Sequence, residues 1–276
     1  MYALVGWPLG FSLSPAMHQA AFDALGMDAR YVLRPTPPGA FGEVMDALRA
    51  GELAGVNVTV PHKVAAANLV EDESGVVRRV GAVNTIVRSP EGFWRGENTD
   101  ASGVLHVLRR RGLDDGRGRR AVVLGAGGAA RAVVGVLLQA GYGVDILNRS
   151  SARAALVAAH LNRHFPGARL ATGPLNAATV VARTAGAALL VNATPVGGAG
   201  APDASPWPVD VPVPAETTVI DLVAWPVETA LVRHALASGA PAEGGLEMLV
   251  AQAAQAFRLW TGSAAPMEVM RGAVVG

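Results

Sequence analysis

The 276-residue sequence contains no cysteine, which excludes disulfide bonds and thiolate metal sites. Charged residues make up only 16% of the chain and nearly cancel, to a formal net charge of +1, so neither nucleic acid nor a membrane is an expected partner. Glycine, proline or charge interrupts every apolar stretch before the roughly 18 residues that a membrane-spanning helix needs. The first apolar run is too short for a signal peptide, and we expect a soluble, cytoplasmic protein.

Hydrophobic residues account for 51% of the sequence, and the length suits two compact domains. Short apolar runs alternate with helix-like segments, a pattern typical of parallel strands joined by crossover helices. A first unit is predicted with strands at 2–5, 31–34 and 56–60 and helices at 15–25 and 41–50. A second unit begins near Arg119, with strands at 121–124, 143–147, 189–192 and 219–222 and helices at 129–140 and 246–259. The prolines of 202–214 predict a surface loop.

The segment from Gly125 to Ala130 fits the pattern G-x-G-x-x-A between a predicted strand and a predicted helix. Gly125 permits a tight turn, Gly127 lets the backbone approach a pyrophosphate, and Ala130 lets the helix pack closely on the strand. The unpaired N–H groups of the helix N-terminus would bind the pyrophosphate. A glycine-rich turn without a ligand is the alternative interpretation. The predicted cofactor-binding residues here are Gly125, Ala126, Gly127, Gly128 and Ala129.

The end of the next predicted strand indicates which dinucleotide is preferred. NAD enzymes usually place a carboxylate there to accept from the ribose, whereas Asp145 lies inside the strand and Asn148 ends it. The guanidinium groups of Arg149 and Arg153, together with Ser150, suit the extra phosphate of NADP. An exposed helix start without a ligand would also tolerate both arginines.

Two polar clusters near the N-terminus fit a ligand site, although each also has a structural interpretation. Ser12 and Ser14 precede a helix, where one serine is an ordinary N-cap, but two hydroxyls also suit a carboxylate. Asn57 and Thr59 share one face of a predicted strand. Lys63 follows at the strand's carboxyl end, where α/β sheets bind ligands, although a solvated lysine is the alternative.

A third cluster pairs two short polar segments, 81–85 and 96–100. They contain Asn84 and Asp100, whose side chains suit a polyhydroxylated ligand. Each segment taken singly also fits a hairpin turn. The sequence has no histidine or carboxylate cluster at ligand spacing, so no metal is expected, and His62 beside Lys63 is interpreted as structural.

The ordered set of these motifs resembles the shikimate dehydrogenase family, and the resemblance spans essentially the whole chain. Further segments that carry it are Gly6-Trp7-Pro8, Asn192-Ala193-Thr194 and Gly245-Leu246-Glu247-Met248-Leu249-Val250-Ala251-Gln252-Ala253-Ala254. The resemblance implies a two-domain α/β fold. Residues 1–103 and 240–276 would form a substrate-binding catalytic domain, and residues 104–239 a Rossmann-type NADP-binding domain. The C-terminal helices would return to the first domain.

The resemblance also implies an activity, the reversible NADPH-dependent reduction of 3-dehydroshikimate to shikimate in aromatic amino acid biosynthesis. Lys63 and Asp100 match the family's catalytic pair, and both would also contact the substrate. The substrate carboxylate would be held by Ser12, Ser14 and Thr59. The substrate hydroxyls would be held by Asn84, Asp100 and Gln252. The nicotinamide would be flanked by Thr194, Leu222, Gly245 and Met248. A monomer or a homodimer is expected.

Two positions depart from the family pattern. Phe11 stands where a histidine is usual, and Ala224 stands where a tyrosine would place a hydroxyl near the substrate carboxylate. Two alternative functions stay open. One is a quinate/shikimate dehydrogenase that accepts NAD or NADP, and the other is a non-catalytic NADP-binding sensor. The presence of both Lys63 and Asp100 argues against the sensor.

Overall fold

The computed structural model describes residues 1–10 and 12–275, which divide into two compact units. One unit joins residues 1–103 with the segment that starts at Val250, and the other consists of residues 104–249. The second boundary therefore lies ten residues later than residue 240, where the sequence places it. The reason is a short strand, Ala242–Glu243, which pairs with the strand Thr218–Asp221 of the second unit.

Among the described residues, six strands form a mixed sheet in the first unit, in the order β2-β1-β3-β5-β6-β4. The strands are β1 (Tyr2–Gly6), β2 (Tyr31–Pro35), β3 (Gly55–Val58), β4 (Asp72–Glu73), β5 (Thr85–Arg88) and β6 (Trp94–Glu97). β1 pairs in parallel with β2 and β3, as predicted. β5 instead pairs antiparallel with β3 and β6, so the two polar segments 81–85 and 96–100 are partly strand and not simply loops.

Helices pack on this sheet and enclose its apolar core. They are α1 (Ser14–Ala24), α2 (Phe41–Arg49), α3 (Lys63–Ala67), α4 (Gly75–Val80) and α11 (Met267–Val275), with parts of α5 (Thr99–Arg110) and α10 (Leu246–Thr261). Val5, Val56 and Ile86 of the sheet pack against Phe41 and Leu48 of α2. α11 packs against α1, which confirms that the C-terminal helices return to the first unit.

The second unit contains, within its described residues, a six-stranded parallel sheet in the order β9-β8-β7-β10-β11-β12. The strands are β7 (Arg120–Leu124), β8 (Gly143–Asn148), β9 (Leu170–Pro174), β10 (Leu189–Asn192), β11 (Thr218–Asp221) and β12 (Ala242–Glu243). This is the strand order of a Rossmann fold, and the order reverses between β7 and β10. Ligands bind such sheets at the carboxyl ends of the strands beside the reversal. The predicted Rossmann-type domain is confirmed.

Helices cover both faces of the second sheet. They are α6 (Gly128–Gln139), α7 (Ser151–His164), α8 (Ala177–Thr184) and α9 (Ala230–Ala237). The segment 202–214 has neither helix nor strand, but the prediction of a surface loop is partly wrong. Trp207 is only 2% exposed and belongs to the apolar core on one face. Its Nε1 donates to the carbonyl oxygen of Val211 over 2.6 Å, so the indole is buried without an unpaired donor.

The described helices include none that is both long enough and apolar enough to cross a membrane.

Candidate active site

A partly buried ion pair between Lys63 and Asp100 lies at the centre of a polar cluster in the first unit. Lys63 opens α3 just beyond the end of β3, and Asp100 lies in the first turn of α5. Lys63 Nζ donates to Asp100 Oδ2 over 2.5 Å, and the two side chains are only 14% and 7% exposed. Lys63 is therefore not a solvated surface lysine.

The lysine content of the sequence is a further indication of a role for Lys63, and the motifs alone do not show it. Lys63 is the only lysine in the sequence, although Lys and Arg together number 23. Arginine keeps its proton under all ordinary conditions in proteins, whereas a lysine amine can release and regain one. The one side-chain ammonium group of this sequence thus lies beside Asp100.

Asn84 and Gln252 hold the other side of the Asp100 carboxylate. Asn84 Nδ2 donates to Asp100 Oδ1 over 2.9 Å and to Gln252 Oε1 over 3.4 Å. The backbone N–H of Thr99 donates to Asn84 Oδ1 over 2.6 Å. Because an N–H group can only donate, this bond determines which side of the Asn84 amide faces Asp100. Four of the predicted site residues, including Lys63, therefore meet in one hydrogen-bonded cluster.

The three predicted carboxylate ligands lie near the carboxyl ends of β1 and β3. Leu13 occupies the N-cap position of α1, and among the described residues no side chain caps this helix. Ser12 Oγ instead accepts the N–H of Ser14 over 3.2 Å, so the N-cap interpretation of these serines is wrong. Thr59 follows β3 and lies against Gly6, where an added Cβ would come within 2.4 Å of the Thr59 methyl group.

Asn57 is part of the protein interior and is not aimed at a ligand. It is 5% exposed, its Oδ1 accepts from the Tyr31 hydroxyl over 2.7 Å, and its Nδ2 donates to Thr85 Oγ1 over 3.0 Å. Burial raises the pKa of the Tyr31 phenol, and a hydrogen bond with Ser14 opposes the rise. Sequence reasoning did not connect these residues. An amide between Val56 and Val58 in a buried strand was the available signal, because a buried polar group requires a partner.

His62 is structural, as the sequence predicted. It is 3% exposed, and its Nε2 donates to the carbonyl oxygen of Thr36 over 2.7 Å. Its ring also lies 5.3 Å from the ring of Phe41. Across residues 1–10 and 12–275, no three His, Asp or Glu side chains come together in a group that could hold a metal ion.

In the second unit, the glycine-rich turn joins β7 to α6 beside the reversal of strand order. Gly125 has a φ of +109°, and a Cβ there would lie 3.0 Å from the carbonyl oxygen of Ala193, so both the backbone and the close approach require glycine. Gly127 is the N-cap of α6, and in the described chain no side chain caps this helix. Its uncapped N–H groups, beside a glycine with open space around it, fit a pyrophosphate.

The start of α7 presents the residues predicted for the extra phosphate of NADP. Arg149 and Arg153 are both exposed. Ser150 is the N-cap of α7, and its Oγ accepts the N–H of Arg153 over 3.3 Å. Asn148 Nδ2 donates to the carbonyl oxygen of Ser150 over 2.9 Å, which holds the turn between β8 and α7. Two exposed cations thus flank a fixed turn, an arrangement that suits a phosphate.

Asp145 is engaged elsewhere and does not serve as the ribose carboxylate of an NAD enzyme. Its Oδ1 lies 3.1 Å from Arg183 Nη1, and its Oδ2 lies 3.5 Å from Arg120 Nη1. Arg120 is the first residue of β7, at the opposite end of that strand from the glycine-rich turn. Asp145, the acidic residue nearest in sequence to the end of β8, is therefore paired with arginines and does not lie at the cofactor end of the sheet.

Asp221 organises the two loops that follow β10 and β11. Its Oδ1 accepts from Asn192 Nδ2 over 2.9 Å, and its Oδ2 accepts from the Thr229 hydroxyl over 2.7 Å. Asn192 Oδ1 in turn accepts from the Thr194 hydroxyl over 2.6 Å. Burial raises the pKa of Asp221, and the hydrogen bonds from Thr229, Val223 and Asn192 oppose the rise. Thr194, predicted to flank the nicotinamide, is thus fixed to the carboxyl end of the sheet.

The other three predicted nicotinamide neighbours lie close together at this end of the second unit. A Cβ at Gly245 would come within 2.4 Å of the carbonyl oxygen of Leu222, so only glycine fits. Met248 is 6% exposed, and Leu222 packs against the same apolar cluster. Ala224 is half-buried in the following loop, whereas the neighbouring Trp225 is 45% exposed. Phe11, the other departure from the family pattern, lies outside the described residues.

Comparison with known proteins identifies the family. The model of the shikimate dehydrogenase substrate binding domain matches residues 4–86, and that of the shikimate 5'-dehydrogenase C-terminal domain matches residues 245–275. The chain is 43% identical over 279 residues to the shikimate dehydrogenase (NADP(+)) of Salinibacter ruber, with 99% of this chain and 96% of that protein covered. This chain belongs to the shikimate dehydrogenase family.

Solved structures of similar proteins agree with this assignment. A shikimate 5-dehydrogenase from Thermus thermophilus, crystallised with NADP(H) and shikimate, is 40% identical with a TM-score of 0.83, and the match covers 99% of this chain and 97% of that one. A quinate dehydrogenase from Corynebacterium glutamicum in complex with NAD is 31% identical with a TM-score of 0.85, at 99% and 97% coverage. The predicted shikimate dehydrogenase family and two-domain α/β fold are confirmed, whereas the roles of individual site residues stay predictions.

Proposed function

We propose that this shikimate dehydrogenase family member interconverts 3-dehydroshikimate and shikimate with NADP(H). The observation that carries the proposal is the partly buried pair of Lys63 and Asp100, 2.5 Å apart, in a chain whose relatives are NADP-dependent shikimate dehydrogenases. A buried ion pair contributes little to stability, because desolvation offsets its Coulombic attraction. The position of this pair beside the amides of Asn84 and Gln252 is therefore explained better by binding of a ligand with a carbonyl and hydroxyl groups than by stability.

Reduction of the ketone requires a hydride at carbon and a proton at oxygen. NADPH supplies the hydride when it is bound. Lys63 Nζ donates a hydrogen bond to the carbonyl oxygen and then a proton as negative charge develops there. Asp100 orients the ammonium group and accepts a hydrogen bond from a substrate hydroxyl. In the reverse direction, Lys63 takes the proton of the hydroxyl that is oxidised.

The remaining contacts of the substrate follow from its chemistry. The hydroxyls of Ser12, Ser14 and Thr59 would hold its carboxylate near the ends of β1 and β3. The amides of Asn84 and Gln252 each offer both a donor and an acceptor, which matches a hydroxyl group that does both. This set of polar groups selects a small, polyhydroxylated acid.

The cofactor contacts combine backbone and side-chain groups of the second unit. The uncapped N-terminus of α6 would bind the pyrophosphate, together with the turn Gly125–Ala129. Arg149 and Arg153, with Asn148 and Ser150, would bind the phosphate that distinguishes NADP from NAD. Thr194, Leu222, Gly245 and Met248 would flank the nicotinamide. The monomeric or homodimeric state and the cytoplasmic location stay predictions.

The test is oxidation of shikimate by the purified protein with NADP, followed through the absorbance of NADPH, with quinate and NAD in parallel reactions. Turnover fastest with shikimate and NADP supports the proposal. Faster turnover of quinate with NAD would favour the second candidate, a quinate dehydrogenase, for which the 31% identity to the Corynebacterium glutamicum enzyme is the supporting observation. Tight NADP binding without turnover of either acid would contradict an enzyme and indicate a sensor.

A further inference from the structure

A continuous chain of buried hydrogen bonds runs from Tyr31 to the Asp100 carboxylate. The Tyr31 hydroxyl donates to Asn57 Oδ1 over 2.7 Å, and Asn57 Nδ2 donates to Thr85 Oγ1 over 3.0 Å. Thr85 Oγ1 donates in turn to Asn84 Oδ1 over 3.1 Å. Asn84 Nδ2 then donates to Asp100 Oδ1 over 2.9 Å. The pair of Lys63 and Asp100 is thus the end of a longer arrangement that begins on β2.

Each donor in this series of hydrogen bonds donates in the direction from Tyr31 towards Asp100. Burial raises the pKa of Tyr31, so the phenol keeps its proton and can donate to Asn57. Asn57 must then present its oxygen to Tyr31 and its amide nitrogen to Thr85. The Thr85 hydroxyl has a single proton, and because it accepts from Asn57, that proton is available to two acceptors, Asn84 Oδ1 at 3.1 Å and Thr99 Oγ1 at 3.2 Å. When the Thr99 hydroxyl instead donates to Thr85, the Thr85 proton goes to Asn84 Oδ1. The amide nitrogen of Asn84 is left facing Asp100.

Thr85 and Thr99 both donate hydrogen bonds to Asn84, and the two residues belong to different elements of the fold. The N–H of Thr99 reaches Asn84 Oδ1 from α5, whereas the Thr85 hydroxyl reaches the same oxygen from β5. The Thr99 hydroxyl also lies 3.2 Å from this oxygen, so Thr85 is the donor that holds Asn84 Oδ1 from outside α5. Asn57 and Thr85 are paired residues in the register of β3 and β5, so the sheet itself sets their distance.

Burial makes the Thr85 hydroxyl difficult to replace. Thr85 has no exposed surface, and Asn84 is 2% exposed. Water therefore has no route to the vacant position if the hydroxyl is removed, and Asn57 Nδ2 would keep only its longer bond, 3.4 Å, to the carbonyl oxygen of Asn84. A misplaced Asn84 amide would in turn leave Asp100 free to rotate away from Lys63.

We propose that Thr85 is a positioning residue for the reaction: through Asn84, it holds Asp100 in the orientation that pairs with Lys63. The proposal rests on the proposed function. Thr85 itself need not touch the substrate, because it acts through the Asn84 amide.

The test compares two substitutions of nearly equal size. Thr85→Val removes the hydroxyl and keeps the branched shape, whereas Thr85→Ser keeps the hydroxyl. We expect kcat for shikimate oxidation to fall about tenfold in Thr85→Val, or about 1.4 kcal/mol of transition-state stabilisation. KM for NADP should stay within about twofold, because the change affects the chemical step and not cofactor binding. Thr85→Ser should keep most of the wild-type kcat.

Thr217→Val is the matched control for loss of a buried threonine hydroxyl. Thr217 also has no exposed surface, and its hydroxyl donates to the carbonyl oxygen of Ala187 over 2.8 Å. It should lower thermal stability about as much as Thr85→Val and leave kcat unchanged. Full kcat in Thr85→Val, or an equal loss of kcat in Thr217→Val, would overturn the proposal.

A double substitution tests whether Thr85 acts through Asp100. In an Asp100→Ala background, adding Thr85→Val should lower kcat by less than about a further twofold, because the carboxylate through which Thr85 acts is already absent. A full tenfold additional loss would show that Thr85 acts elsewhere. If Thr85→Val does not fold, Tyr31→Phe is the second variant, since it removes the first hydroxyl of the hydrogen-bond chain. It should lower kcat by about threefold and leave KM for NADP unchanged. An unchanged kcat would contradict the proposal.

The wild-type protein is assayed first, which separates the two hypotheses. A wild type without shikimate turnover contradicts the proposed function itself. An active wild type with a fully active Thr85→Val or Tyr31→Phe variant contradicts only the positioning role.

Discussion

The two sets of predicted ligand-binding residues differ in how the protein holds them. In the first unit, Asn84 and Asp100 are buried, Lys63 is half-buried, and both Lys63 and Asn84 are hydrogen-bonded to Asp100. In the second unit, the cofactor turn presents backbone N–H groups, and Arg149 and Arg153 are exposed. Within residues 1–10 and 12–275, neither guanidinium group has a hydrogen bond or an ion pair to the protein. Groups that react must be positioned closely, whereas a phosphate is attracted by charge over a longer range.

This difference has consequences for substitution. In the buried set, removing one side chain leaves its neighbours without partners, so both activity and stability should fall. In the exposed set, a lost side chain is replaced by water, so affinity should fall while stability is kept.

The largest effect is expected from Lys63. Lys63→Ala should lower kcat by about 10²–10⁴, the usual range for a positioned acid or base, and KM for shikimate should change far less. Lys63→Arg is the sharper variant, because it keeps the positive charge but cannot exchange a proton. It should lose nearly as much kcat as Lys63→Ala in steady-state kinetics. Near-normal turnover of Lys63→Ala would show that Lys63 has no role in the reaction.

The absence of other lysines offers an independent measurement. An amine-selective reagent can modify only Lys63 and the N-terminal amine of this sequence. Inactivation that follows modification of Lys63, and that shikimate together with NADP prevents, would agree with the kinetics. Modification of Lys63 without loss of activity would contradict them.

The second sheet could be predicted from the sequence more completely than the first. Its four central strands, β7, β8, β10 and β11, are mostly buried and appear in the sequence as short apolar runs, so the prediction of 121–124 differs from the observed Arg120–Leu124 by one residue. β5 and β6 carry Thr85 and Arg95 on an antiparallel ladder, and such polar positions resemble loops in a sequence. The site residues came from motifs, but the contact of Asn57 with Thr85 depends on strand register, which spacing along the chain does not reveal.

The second prediction compares the stability of the two sets directly. Asn84→Ala should lower the free energy of unfolding by about 2–3 kcal/mol, because the N–H of Thr99 and the Thr85 hydroxyl lose a buried acceptor. Arg149→Ala should change it by less than about 0.5 kcal/mol, as exposed substitutions usually do. Urea unfolding of both variants decides the matter, with the exposed Asn68→Ala as the control for loss of an amide. Equal stability of Asn84→Ala and wild type would remove the contrast between the two sets.

The third prediction concerns cofactor choice. Arg149→Ala should raise KM for NADP tenfold or more, because a charge-assisted hydrogen bond contributes roughly 1.5–3 kcal/mol. KM for NAD should stay nearly unchanged, since NAD lacks the phosphate that Arg149 would meet. Arg163→Ala, at the other end of α7 and also exposed, controls for the loss of one positive charge. Equal losses for the two cofactors would contradict the assignment of Arg149 to the phosphate.

The smallest effect is expected at Ala224, where the chain departs from its family. By the resemblance, a tyrosine there adds a hydroxyl that donates to the substrate carboxylate. Such a bond contributes roughly 1.5–3 kcal/mol, but water in place of the missing hydroxyl recovers part of it. Ala224→Tyr should therefore lower KM for shikimate by about threefold to tenfold and leave KM for NADP unchanged.

Ala224→Phe separates the hydroxyl from the ring. Both variants add an aromatic ring to a half-buried position, and either one clashes if the loop has adapted to the small side chain. If the hydroxyl is what the family tyrosine contributes, only Ala224→Tyr lowers KM for shikimate. A gain in both variants would assign the effect to apolar contact. A loss in both would mean that the loop after β11 has a different course from that of its relatives, and that the carboxylate depends on the hydroxyls of Ser12, Ser14 and Thr59 alone.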